Sequence, residues 1–131
     1  MKKFLLPYAL LILLACLSTA CASSPGAGSS DQTVQPTVHM SETQFVPTSI
    51  TIKKGDKLTL VDDVAVVHII ANGRWDSYGN QRPDIEAGAP TVQAQFNGNN
   101  QQSIGPFTTV GTFHLYCTIH INMNLTVIVK P

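Results

Sequence analysis

Apolar and polar positions along this chain fall into two unlike regimes. The first is one apolar run, Phe4–Ala15, preceded by Met1-Lys2-Lys3. The second begins near Thr37 and is a series of short β-rich runs broken by turn residues. Val38–Met40 predicts a first strand. Ser49–Ile52 and Lys57–Val61 flank Lys53-Lys54-Gly55-Asp56 and predict a hairpin with glycine in its turn. Val64–Ala71, apolar except for His68 and rich in β-branched residues, predicts a buried central strand. Asn72–Pro90 is polar and punctuated by glycine and proline, so it predicts a long loop decorated by Trp75, Asp76 and Tyr78. Thr91–Phe96 alternates, with Val92, Ala94 and Phe96 on one face, and Asn97-Gly98-Asn99-Asn100 is a turn. Ser103–Phe107, Thr112–Tyr116 and Leu125–Val129 complete the set. No segment carries a useful helical period. About seven or eight short strands predict an all-β, Greek-key β-sandwich.

The N-terminal regime reads as an export signal. Its apolar run is shorter than the roughly 20 residues a membrane-spanning helix needs. Cys16 and Cys21 follow it closely, and Ala22–Ser30 is rich in Ser, Gly, Ala and Pro. A cysteine after an apolar run and before such a tether resembles a bacterial lipoprotein signal, which implies acylation of that cysteine. Cys21 sits better against the tether and is favoured; Cys16, preceded by Leu13-Leu14-Ala15, is the alternative. The expected organisation is a signal over 1–20, a flexible tether over 21–36 and one domain over 37–131. The expected location is extracytoplasmic, at the outer face of the cytoplasmic membrane or in the periplasm, held by a lipid anchor.

Charge and cysteine usage narrow the chemistry. The whole chain has 8 basic and 8 acidic residues; loss of Lys2 and Lys3 with the signal leaves 6 against 8, near −2. Nucleic-acid binding asks for a basic patch or stripe, so that class is excluded. Beyond the signal and the lipid position only Cys117 remains of the 3 cysteines, so the domain has no internal disulfide. A lone thiol in an oxidising compartment is a liability unless it is buried or bound to a metal.

Cys117 does not stand alone. Cys117, His120 and Met123 form a C-x2-H-x2-M pattern on the short turn between two predicted strands. A thiolate, neutral imidazoles and a weak axial thioether make up the trigonal site of blue-copper electron carriers. His68, in the apolar run, is the candidate for the second imidazole. A site preformed in this way barely reorganises when copper changes oxidation state, as fast electron transfer requires. His39 reads as a surface or edge residue. His114, three positions before Cys117, falls on the opposite strand face, so neither is taken as a ligand. Structural zinc wants four Cys/His ligands, usually in close pairs. Covalent haem wants C-x-x-C-H, and a Cys-His nucleophile wants an orienting acid. None of these is present, and no enzyme is expected.

Gly111-Thr112-Phe113 leading into Tyr116–His120, then Met123, with His68 upstream, resembles the cupredoxin family and its plastocyanin/amicyanin-like group. Phe45-Val46-Pro47 and Ile50–Asp56 match the beginning of that domain, and the resemblance covers Thr37 to Pro131. It implies one type 1 copper ion held by His68, Cys117, His120 and Met123. It also implies electron exit through His120, within an apolar surface that includes Ile119 and Ile121. The implied partners are redox proteins such as cytochromes or membrane electron-transport complexes, met by a monomer. A copper-delivery protein carrying the metal as cargo is the alternative, although the chain has no Met- or His-rich tract. Two departures bear on tuning. The family often has Pro-Gly where this chain has Ile121-Asn122, and a polar residue where it has Ile69.

Overall fold

The computed structural model describes residues 34–131; the expected signal, both N-terminal cysteines and most of the expected tether lie outside the described residues. The described residues contain no helix. They form ten strands: β1 (Thr37–Met40), β2 (Phe45–Val46), β3 (Ser49–Lys53), β4 (Leu58–Asp62), β5 (His68–Trp75), β6 (Gln81–Pro83), β7 (Gln93–Phe96), β8 (Gln101–Ile104), β9 (Gly111–Cys117) and β10 (Asn124–Lys130). One sheet runs β2-β1-β4-β8, the other β3-β10-β9-β5-β6, with β7 also on β5. Both are mixed, since β1 runs parallel to β4 and β3 parallel to β10.

Period-2 alternation makes each strand two-faced. In β10, Leu125, Val127 and Val129 are buried while Thr126 and Ile128 are half-buried. Facing residues from the two sheets, among them Val38, Leu58 and Leu60 against Ile70, Leu115 and Val127, close one core. Burial of each such side chain contributes about 1.5–3 kcal/mol. The described domain relies on that core, because its one cysteine, Cys117, is free.

Three expectations change. The runs on either side of Lys53–Asp56 are strands but not a hairpin: β3 joins β10 and β4 joins β1 and β8, so the turn crosses between sheets. The turn is closed by Lys53 N donating to the Asp56 carboxylate and by Asp56 N donating to Lys53 O. Ile52 and Leu58 can therefore both enter the core, from opposite sheets. Second, the apolar run Val64–Ala71 is strand only from His68; Val64–Val67 is an irregular, partly exposed approach to it. Third, the loop expected over Asn72–Pro90 begins too early, because β5 continues to Trp75 and pairs with β6. Gly73 hides this continuation. Its φ of 121° and the close backbone of β6 leave no room for a side chain, so glycine marks a close approach, not a break.

Candidate metal centre

Cys117 ends β9 at one end of the sandwich, and its neighbours Leu115 and Phe113 fix which face it shares. It is fully buried. The next six residues turn the chain back into β10. That turn closes on itself: Cys117 N donates to Met123 O at 3.0 Å, and Met123 N donates to His120 O at 3.2 Å. It is also tied to β5, where Thr118 N donates to Ile69 O at 2.8 Å. His68 begins β5, fully buried, with its neighbour Ile70 paired to Cys117. Strand pairing therefore fixes His68 near the thiol despite the sequence distance.

The imidazoles converge on one another. His120 Nδ1 lies 3.1 Å from His68 Nδ1 and 3.4 Å from Cys117 Sγ, and the three donor atoms all lie within 4.8 Å of one another. Bonds from one ion of about 2.0 Å to nitrogen and about 2.3 Å to sulfur, at near-tetrahedral angles, give donor separations of this size. The set fits a soft or borderline metal. Burial pushes His68 below the usual imidazole range, His120 adds to that, and Asp62 opposes it. A neutral imidazole keeps a lone pair for a metal. Met123 is fully buried in the same loop, and His120 is half-buried. Ile119 and Ile121 on either side of His120 are exposed.

The other histidines stand apart, each on a carboxylate. His39 Nδ1 lies 2.8 Å from Asp63, and His114 Nδ1 lies 2.6 Å from Glu86. Sequence reasoning missed three supporting residues. Trp75, read as loop decoration, is buried and donates from Nε1 to Cys117 O at 2.8 Å. Asn124 clasps the same residue: Trp75 N donates to its Oδ1, and its Nδ2 donates to Trp75 O. Asp62 is the third missed residue, a buried carboxylate 3.8 Å from His68 Nε2. An acid ending an otherwise alternating strand was the available signal.

The family described as copper binding proteins of the plastocyanin/azurin type matches residues 32–130. The chain belongs to that family, and its cofactor is copper. Among solved structures it is similar to amicyanin from Paracoccus versutus, at 18% identity and a TM-score of 0.58 over 75% of this chain and 83% of that one. It is likewise similar to a purple cupredoxin from Nitrosopumilus maritimus, at 18% identity and a TM-score of 0.55, over 73% of this chain and 100% of that one. A copper-containing nitrite reductase from Thermus scotoductus matches at 20% identity and a TM-score of 0.59, over 75% of this chain but only 23% of the reductase. No curated protein sequence matches. The family and the convergent donors support copper-based electron transfer.

Proposed function

We propose that this protein is an exported one-electron shuttle whose copper is held by His68, Cys117, His120 and Met123. When bound, copper supplies the electron-accepting orbital and alternates between two oxidation states. The chain's own residues do the rest. Cys117 offers a buried thiolate and the two imidazoles offer Nδ1. Met123, buried in the same loop, would supply a thioether. Backbone hydrogen bonds through Cys117 and Met123 hold the donors in place, so little of the protein must move when the charge changes. His120 is the exit, because its ring is half-buried between exposed Ile119 and Ile121.

The observation that carries this reading is the meeting of buried Cys117 and His68 with half-exposed His120 at donor distances for one ion. Redox encounters use small interfaces, below about 1,200 Å², which an apolar rim around one histidine can supply. In this reading the domain works outside the cytoplasmic membrane as a monomer on a short tether, with a lipid on Cys21 or alternatively Cys16, supported by the apolar run Phe4–Ala15 and the Ser/Gly-rich stretch after it. There it meets cytochromes or membrane electron-transport complexes.

Adding Cu(II) to the purified domain tests the site. The expected result is an intense visible absorption from thiolate-to-copper charge transfer, abolished in Cys117→Ser. Reversible voltammetry without metal loss separates a resident cofactor from cargo. A colourless copper complex, or a band that survives Cys117→Ser, would overturn the reading. Mass spectrometry of the mature N-terminus reports the acylated cysteine.

A further inference from the structure

Two side-chain atoms among the described residues are buried without a hydrogen-bond partner: Asp62 Oδ2 and His68 Nε2. They belong to residues that face each other. Asp62 Oδ1 lies 3.8 Å from His68 Nε2, and both side chains are wholly inaccessible. Asp62 ends β4 in the four-stranded sheet, opposite Met40 on β1, whereas His68 begins β5 in the other sheet. The pair therefore spans the core at the metal end.

Local structure accounts for only part of Asp62. Its Oδ1 accepts from Val64 N at 3.3 Å, a weak turn contact, while its backbone N is satisfied by Asn100 O. Oδ2 is left over. Burying an acid without a cation is costly, and natural cores keep such groups only where a partner or a task exists. The task is visible on the other side. His68 Nδ1 is turned toward His120 and the thiol, so its Nε2 is the nitrogen left to face Asp62. Metal-bound histidines regularly donate their second N–H to a carboxylate, which fixes tautomer and ring orientation and raises ligand basicity.

We infer that Asp62 is a positioning residue for the copper centre, keeping the proton of His68 on Nε2 and its Nδ1 lone pair aimed at the metal. This deepens the copper reading proposed above. A carboxylate behind His68 stabilises the more highly charged Cu(II) over Cu(I), so it lowers the reduction potential. It also faces the ligand from the opposite sheet, 3.8 Å from Nε2, where no other polar partner is present for that nitrogen.

The test compares the native protein with Asp62→Asn, which keeps volume and removes charge, and Asp62→Ala, which removes the acceptor. In the copper-free native protein, nitrogen NMR of the His68 ring should show the Nε2–H tautomer; an Nδ1–H tautomer overturns the inference without any variant. Copper-loaded Asp62→Asn should keep its visible band and lose about 10–100-fold in Cu(II) affinity. Its potential should rise by about 59 mV for each tenfold by which Cu(II) affinity falls more than Cu(I) affinity. A folded variant with native potential and affinity overturns the inference while leaving the copper site standing. A protein that never develops the band strikes the copper reading instead.

Discussion

The indole Nε1–H of Trp75 donates to the carbonyl oxygen of Cys117 at 2.8 Å, inside the protein and across 42 residues of sequence. The same residue's backbone exchanges two hydrogen bonds with the side chain of Asn124, at 2.8 Å and 3.1 Å. Cys117 ends β9 and Asn124 begins β10, so Trp75 grips both ends of the turn that carries His120 and Met123. Its ring stands edge-on to Tyr116, with the ring centroids 6.0 Å apart.

Replacing Trp75 with Phe should therefore separate the hydrogen bond from the packing. The ring still contacts Tyr116, but the Cys117 carbonyl loses its side-chain donor. Unsatisfied buried acceptors cost about 1–3 kcal/mol, and denaturant unfolding of the copper-free protein should show a loss of that size. Trp75→Ala should lose roughly 3–5 kcal/mol, because a cavity is added. Equal losses in the two variants would mean that the hydrogen bond alone holds the turn, and an unchanged Trp75→Phe would mean that packing alone does.

Much of this was legible before any coordinates, and the boundary has physical causes. The metal donors are close in sequence, rare in type and flanked by clear strands, so Cys117, His120 and Met123 stood out. Alternation and one continuous apolar run marked eight strands, although Ser103–Phe107 was set too late for β8, which is Gln101–Ile104; the two missed, β2 and β6, are two and three residues long and lack a full period. Partner choice was the harder question. Nothing in Lys53–Asp56 distinguishes a hairpin from a crossing between sheets, because both need the same turn chemistry. Trp75 was hidden by Asn72-Gly73, where glycine serves close backbone approach and resembles a loop signal. Asp62 was hidden because an acid at a strand end is ordinarily solvated, and only the fold brings it to His68.

The turn after His120 carries its own prediction. Asn122 has φ of 63°, left-handed backbone that glycine adopts freely and asparagine tolerates. Asn122 thus stands where the family's Pro-Gly places its glycine, and it preserves the backbone shape. Asn122→Gly should change stability by only a few tenths of a kcal/mol. Asn122→Val should cost about 1–2 kcal/mol. Thermal unfolding of the two variants decides it, and an unharmed valine variant would contradict a left-handed turn.

Acid should loosen a second turn beside the site. The Asp76 carboxylate accepts from Asn80 N, Tyr78 N and Arg82, which together hold it down to about 2. The Asn80 backbone bond is the largest cause. The folded value lies below the ordinary 3.8, so the unfolded chain binds the proton more readily. The stabilisation is complete above the ordinary value and is lost as pH falls from there toward about 2. Unfolding midpoints followed over that window should fall more steeply in the native protein than in Asp76→Asn. Parallel curves would remove Asp76 from the account.

Ile121 is the most exposed of the apolar residues flanking His120, at 64%. If electrons leave through His120, two molecules exchanging an electron must bring these faces together. A charge there would have to be desolvated at the moment of transfer. Ile121→Lys should therefore slow electron self-exchange roughly tenfold, the effect of losing about 1.4 kcal/mol at an interface centre. The visible spectrum should not change, because Ile121 supplies no ligand. Val110→Lys is the control: Val110 is also exposed, but it precedes β9 at the end of that strand remote from Cys117. NMR line broadening in mixtures of oxidised and reduced protein measures both rates. Equal slowing by the two lysines would point to overall charge and move the exit away from His120; slowing confined to Ile121→Lys places it there.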